Sequence, residues 1–190
     1  MSEILVAYSS QEGQTAKIAQ TIKAMIEKRQ LNCSLFDLEE SPESASTMQR
    51  FGGVIIGASI HKGKHSTQVE RFLTDHSDQL NEMPTLFLSV SLSGGSKDPE
   101  DRLNAEDCVR WLLRKTAFIP KRMLLLGGAV RMDKYGPITK FVMRMVLRQR
   151  HVSIPQTGEL EFTDWHALEN AVRSFVDELV LHHSTRRLAS

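Results

Sequence analysis

Four short, uninterrupted runs of apolar residues recur along this chain of 190 residues, with helical patterns between them. Continuous apolar runs are typical of parallel strands covered on both faces, because a half-buried strand would alternate apolar and polar residues. Strands that alternate with helices at this interval predict a doubly wound α/β fold. The four runs are Ile4–Tyr8, Val54–Ala58, Thr85–Val90 and Met123–Gly128.

A weaker fifth run, Ser34–Leu38, alternates more and is expected nearer an edge of the sheet. The sequence therefore predicts a five-stranded parallel sheet between two helical layers. Asp164 is the predicted N-cap of the last helix. The residues with helical spacing are Ile18, Ile22, Met25 and Ile26; Val69, Phe72 and Leu73; Cys108, Trp111, Leu112 and Lys115; and Leu168, Val172, Phe175, Val176 and Leu179.

Composition is that of one ordinary globular domain, with 41% hydrophobic and 25% charged residues and a formal net charge of +1. We expect the domain to span residues 1–182 and a tail to occupy 183–190. The two cysteines form no CxxC pair and the histidines show no metal-ligand spacing, so we expect neither a disulfide nor a metal site. The first residues predict a strand and not a signal peptide.

A long insertion breaks the alternation between the last predicted strand and the last helix. It runs over residues 129–162, more than 30 residues, where loops between a strand and a helix usually have about 2–6. Long insertions of this kind are usually functional.

The insertion contains a basic amphipathic pattern. Residues 121–150 carry eight Lys or Arg and one acid, and within residues 137–150 the cations form one helical stripe beside a broad apolar face. This pattern predicts a helix on an anionic membrane surface; alternatively, its apolar face packs on the domain or on a second subunit of a homo-oligomer. Nucleic acid is a poor partner, because few aromatic residues accompany the charge. The predicted membrane residues are Lys140, Phe141, Arg144 and Arg148.

The first strand is followed by a turn whose chemistry suits a terminal phosphate. Ser9, Ser10 and Thr15 carry hydroxyl groups, Gly13 lets the backbone fold closely, and a helix N-terminus follows. The turn is neither a dinucleotide fingerprint nor a P-loop. A serine-rich N-cap without a ligand is the alternative interpretation.

The segment Tyr8–Thr15, with Ala19 and Ile22 in the following helix, resembles the FMN-phosphate signature of flavodoxins. The resemblance implies FMN at the carboxyl ends of the strands, with Ser59–His65 and Ser89–Gly95 beside the isoalloxazine ring. The implied cofactor residues are Ser9, Ser10, Gln11, Glu12, Gly13, Gln14, Thr15, Ser59, Ser89, Val90, Ser91 and Leu92.

Further segments resemble one flavodoxin-like branch, the menaquinone-dependent protoporphyrinogen IX dehydrogenases. The resemblance implies oxidation of protoporphyrinogen IX to protoporphyrin IX in haem biosynthesis, with menaquinone or ubiquinone as acceptor, at the cytoplasmic face of the inner membrane. A flavodoxin-like electron carrier and an NAD(P)H-quinone reductase are the alternatives. The segments are Val54–Ile60, Met83-Pro84 with Phe87 and Ser89-Val90, Gly128-Ala129 with Arg131 and Tyr135, and Phe162–Trp165.

Five basic or titratable side chains are expected around the flavin ring. Positive charge there would stabilise a reduced, anionic flavin and could hold the propionates of a tetrapyrrole; alternatively, these are solvated loop cations. Arg131 is the best candidate for a bidentate contact with a propionate. The five are His61, Lys62, Lys64, His65 and Arg131, of which His61, Lys62 and Arg131 are the predicted substrate residues.

Overall fold

The computed structural model describes residues 3–40, 48–131 and 159–188. Within these residues, five parallel strands form the main sheet in the order β2-β1-β3-β5-β6, and the short β4 pairs antiparallel with the end of β3. The strands are β1 (Glu3–Ser9), β2 (Cys33–Asp37), β3 (Phe51–His61), β4 (Lys64–His65), β5 (Thr85–Ser91) and β6 (Arg122–Gly127). The predicted five-stranded parallel sheet is confirmed, with the alternating run at one edge as β2.

Helices cover both faces of the sheet, so the molecule has three layers. The helices are α1 (Gln14–Lys28), α2 (Thr67–Asp75), α3 (Ser77–Glu82), α4 (Pro99–Thr116) and α5 (Trp165–Leu188). Buried side chains of α1 and α5 pack in one core, and those of α2, α3 and α4 pack in the other. Successive residues of β1 enter opposite cores: Ile4 and Val6 enter the first, and Leu5 and Ala7 the second.

The helical spacing predicted after β5 is confirmed by α4, but its residues do not all face the core. Leu112 is buried, whereas Trp111 is 47% exposed and Cys108 is only partly buried. The Trp111 ring is covered instead by Lys115, whose Nζ lies 4.7 Å from the ring centroid. The buried side of the helix consists of Ala105, Val109, Leu112 and Thr116.

The last helix begins as predicted. The Asp164 carboxylate accepts a hydrogen bond of 2.9 Å from the backbone N–H of Ala167, which is the geometry of an N-cap. The helix continues to Leu188, past the predicted end of the domain at residue 182, and the division of the chain there stays a prediction. No helix in the described ranges is both long enough and apolar enough to cross a membrane.

The insertion leaves and rejoins the domain through a two-stranded antiparallel ladder. Its strands are β7 (Ala129–Arg131) and β8 (Glu159–Glu161), with Val130 opposite Leu160. The predicted basic helix, with Lys140, Phe141, Arg144 and Arg148, lies outside the described residues.

Candidate functional site

The turn between β1 and α1 presents the N-terminus of a 15-residue helix. Gly13 has φ = 93°, a left-handed conformation that favours glycine, and the Ser10 hydroxyl accepts a hydrogen bond of 3.1 Å from its N–H. The first turn of α1 contains no acidic residue. Because the first N–H groups of a helix lack partners within the helix, this turn is suited to bind an anion.

The Ser9 hydroxyl is already engaged inside the protein. It is fully buried and donates a 2.5 Å hydrogen bond to the carboxylate of Glu39. The Ser66 hydroxyl lies 2.8 Å from Ser9 Oγ and also accepts from the N–H of Val69, so that it caps α2. The Ser9 hydroxyl cannot donate to a ligand without breaking the bond to Glu39.

Gln14 joins the start of α1 to the end of the insertion. Its side chain is buried, at 4% exposure, and Nε2 donates to Glu161 Oε1 at 3.0 Å and to Thr163 Oγ1 at 2.8 Å. Within the described ranges, Gln14 Oε1 is buried without a hydrogen-bond partner. An unpaired buried acceptor beside the turn fits a ligand that carries hydroxyl donors.

Glu161 is the charged group of this junction. Its Oε2 accepts a 2.7 Å bond from Lys17 Nζ, and Lys17 also lies over the ring of Trp165. Burial would raise the pKa of Glu161, but hydrogen bonds from Lys17 and Gln14 outweigh it and hold the pKa below its ordinary value. The ionised carboxylate therefore links α1, β8 and α5.

The segment Ser59–His65, predicted as a loop, forms a β-hairpin. Strand β3 extends to His61, and Ile60 pairs with His65 while His61 pairs with Lys64. Lys62 and Gly63 occupy the turn with positive φ, 51° and 76°. We refer to residues 59–65 as the β3–β4 hairpin.

The β3–β4 hairpin also contacts α4 and the turn between β1 and α1. Glu12 points to the hairpin, where its Oε1 lies 3.8 Å from His61 Nδ1. The Cys108 thiol donates to the carbonyl oxygen of Gly63 at 3.2 Å. Ser59 donates a longer bond, 3.3 Å, to the carbonyl oxygen of Ser9. Loops after β1 and β3 therefore form one surface at the carboxyl edge of the sheet.

His65 does not contribute the positive charge expected of it. Its side chain is buried, and burial lowers its pKa to about 4, so the imidazole is neutral near pH 7. The positive charge of Arg131 is partly neutralised by a salt bridge, in which its Nε donates to Glu159 Oε1 at 3.0 Å. The exposed cations that remain on the hairpin are Lys62 and Lys64.

The end of β5 turns its hydroxyl groups inward. Ser89 Oγ lies 3.2 Å from His65 Nε2, and Ser91 Oγ accepts a 2.9 Å bond from the N–H of Gly94. Val90 is buried, whereas Leu92 is partly exposed at the start of the loop that follows. Of the residues predicted at this strand end, Leu92 is therefore the most accessible side chain.

Several residues at this edge were absent from the sequence prediction. Glu39, Ser66, Glu161 and Thr163 all hydrogen-bond to predicted cofactor residues. Two of these residues could have been found from the sequence. A serine directly before a helical pattern, such as Ser66, is a typical N-cap, and Thr163 lies in the segment Phe162–Trp165 that carries the resemblance. No group of His, Cys, Asp or Glu in the described ranges has the arrangement of a metal site.

The sheet order, the two helical layers and the turn with a left-handed glycine between β1 and α1 define a flavodoxin-like α/β protein. The flavodoxin domain family model matches residues 5–153, and the chain belongs to this family.

The chain is similar to named enzymes of the family. It is 25% identical over 170 residues to the protoporphyrinogen IX dehydrogenase (quinone) of Escherichia coli strain K12, covering 89% of this chain and 92% of that protein. It is 23% identical to the protoporphyrinogen IX dehydrogenase (quinone) of Leishmania major, covering 90% of this chain and 73% of that protein. The resemblance predicted from the sequence is confirmed.

A solved structure agrees on the fold. The flavodoxin of Fusobacterium nucleatum bound to flavin mononucleotide superposes with a TM-score of 0.51 at 11% identity, covering 96% of this chain and 99% of that one.

The buried neutral state of His65 predicts a pH-dependent stability. Between pH 6.5 and pH 4 the unfolded chain binds a proton at His65 that the folded chain does not, so this contribution to stability is present at pH 7 and is lost as the pH falls. We expect the free energy of unfolding to fall by about 2 kcal/mol from this cause between pH 7 and pH 4.5. Urea unfolding at the two pH values measures it. The His65→Gln variant should lose less stability over this range, and an equal loss in both proteins would contradict the assignment.

Proposed function

We propose that this chain is an FMN-dependent dehydrogenase that oxidises protoporphyrinogen IX to protoporphyrin IX and passes the electrons to a quinone, menaquinone or ubiquinone. Relatives that match about nine tenths of the chain are named protoporphyrinogen IX dehydrogenase (quinone). The observation that carries the flavin assignment is the turn Ser10–Gly13, where a left-handed glycine precedes a helix with no acid in its first turn. When bound there, FMN supplies two-electron transfer.

The residues around the turn fit the phosphate and ribityl parts of FMN. The first N–H groups of α1 and the hydroxyl groups of Ser10 and Thr15 would hold the phosphate. Gln14 Oε1, the unpaired buried acceptor, would accept from a ribityl hydroxyl. The backbone shape of the turn would also help to bind the phosphate, and this shape is set by Gln11, Glu12 and Gly13.

The β3–β4 hairpin and the loop after β5 would flank the flavin ring. Lys62 and Lys64 are exposed on the hairpin, where positive charge would favour the reduced, anionic ring and attract the propionates of the porphyrinogen. His61 and Arg131 would also face the substrate, each from beside a carboxylate, Glu12 and Glu159 respectively. A substrate carboxylate would then compete with these two acidic side chains.

Anaerobic turnover of the purified, FMN-loaded protein tests the reaction. We expect protoporphyrin IX to form only when protoporphyrinogen IX and a quinone are both present, because each round must return the electrons to an acceptor. Quinone reduction driven by NADH or NADPH, without porphyrin formation, would support a generic quinone reductase instead. Exchange of electrons only with a soluble redox partner would support a flavodoxin-like carrier.

We further propose that the chain acts as a peripheral protein at the cytoplasmic face of the inner membrane. The support is the spacing of Lys140, Arg144 and Arg148 beside Phe141, since basic side chains near an anionic surface each add about 1 kcal/mol of binding.

Charge reversal tests the membrane proposal. The triple variant Lys140→Glu, Arg144→Glu and Arg148→Glu should bind anionic liposomes at least about 100-fold more weakly at low salt. A control with the same change of net charge replaces exposed helical arginines, with Arg71→Glu, Arg110→Glu and Arg173→Glu. Equal co-sedimentation of the triple variant and the control would contradict the proposal.

A further inference from the structure

The returning strand of the β3–β4 hairpin, β4, is linked to β5 by a buried polar contact at His65, the last residue of the hairpin. His65 Nε2 lies 3.2 Å from the hydroxyl oxygen of Ser89, which is fully buried near the end of β5. The two residues are 24 positions apart in sequence. This contact therefore joins the two chain segments that would flank the flavin ring.

The surroundings of His65 hold its ring in one place. The imidazole is 5% exposed and packs against Phe87, with ring centroids 5.9 Å apart. Its other nitrogen, Nδ1, is enclosed without a hydrogen-bond partner in the described part of the chain. Burying an unpaired polar atom is unfavourable. An apolar side chain would fill the same space without that cost, so packing alone does not explain a histidine at this position.

Further side-chain contacts hold the two ends of the returning strand. Ser66, directly after His65, meets the Ser9 hydroxyl at 2.8 Å, and the Cys108 thiol reaches Gly63 at the turn. Neither contact connects the hairpin to β5. Backbone pairing with β5 fixes the start of the hairpin, where Ser59 lies opposite Val90. The His65–Ser89 pair adds a link from the returning strand β4 to β5.

We propose that His65 is a positioning residue of the flavin site, which through Ser89 fixes the returning strand β4 of the hairpin beside the carboxyl end of β5 and thereby sets where the isoalloxazine ring lies. This inference rests on the proposed function, because it requires FMN to bind at this edge.

Substitution of His65 tests the inference through the bound flavin. His65→Phe keeps a ring against Phe87 and removes the hydrogen bond to Ser89; we expect it to weaken FMN binding about tenfold and to change the visible circular dichroism of the bound flavin. His65→Gln keeps a donor for Ser89 and should restore FMN affinity to within about threefold of the original chain. His76→Phe is the matched control, since His76 also packs on a phenylalanine, Phe72, but lies at the far end of α2; it should change neither property.

A second route removes the same bond from the other side. Ser89→Ala should weaken FMN binding, and the loss in the double variant with His65→Phe should be no greater than the larger of the two single losses, because both changes delete one interaction. The single variant Ser89→Ala also tests the inference if His65→Phe does not fold.

The outcomes separate the inference from the proposed function. Wild-type FMN affinity and an unchanged flavin spectrum in His65→Phe would overturn the positioning role alone, as would fully additive losses in the double variant. A wild-type chain that binds no FMN would overturn the proposed function, and the positioning role with it.

Discussion

Replacing Gly127 by alanine is expected to destabilise the protein severely. A Cβ atom at this position would lie 2.0 Å from the carbonyl oxygen of Phe162, a backbone atom that cannot turn aside. The end of β6 would have to separate from the segment that follows β8, which also carries the Thr163 contact to Gln14. We expect a loss of about 3 kcal/mol or more, seen as a fall of about 6–12 °C in Tm.

The adjacent glycine provides the control. A Cβ atom on Gly128 would come no closer than 3.5 Å to its neighbours, which is ordinary contact. Gly128→Ala should therefore leave the free energy of unfolding within about 1 kcal/mol of the original. Equal Tm values for Gly127→Ala and the original chain would show that this close approach of β6 to Phe162 does not exist in solution.

Loss of the Thr15 hydroxyl is expected to weaken FMN binding strongly. Thr15 is buried in the first turn of α1, and Thr15→Val keeps the shape of the side chain while removing its donor. A hydrogen bond to a charged group is worth about 1.5–3 kcal/mol, so FMN affinity should fall about 10- to 100-fold. Fluorescence titration of the apoprotein with FMN measures the change.

Two neighbouring hydroxyl groups serve as comparisons. Thr21→Val makes the same change on the exposed side of α1, where the hydroxyl donates to the Lys17 carbonyl, and should leave FMN affinity unchanged. Ser9→Ala should change FMN affinity less than about threefold, because that hydroxyl donates to Glu39. A loss at Ser9 that equals the loss at Thr15 would contradict the hydrogen-bonding order found in the structure.

The sheet and its layers could be predicted because their signal is local. Four of the five parallel strands are continuous apolar runs, and the alternating run, β2, lies at one edge of the sheet. Helical spacing alone does not identify the buried face of α4, because Trp111 is apolar and has helical spacing, yet its ring lies at the surface beneath Lys115. Periodicity counts apolar residues and cannot register a side chain that is covered by a charged neighbour.

The contacts of the site could not be predicted because they join distant residues. Gln14 meets Glu161 across 147 positions and Ser9 meets Glu39 across 30. His65 was expected to add positive charge beside the flavin ring, together with its neighbours Lys62 and Lys64. The hairpin turn at Gly63 reverses the chain and carries His65 back against Ser89, and no local pattern predicts that pairing.

The most direct test of the flavin site compares two ligands that differ only in the phosphate. Apoprotein is titrated with FMN and with riboflavin, and quenching of flavin fluorescence reports binding. Because several charge-assisted hydrogen bonds at the turn before α1 would be made by FMN alone, we expect one FMN per chain and an affinity at least about 100-fold above that for riboflavin. Equal affinities for the two ligands, or no binding of either, would contradict a flavin held by its phosphate at this turn.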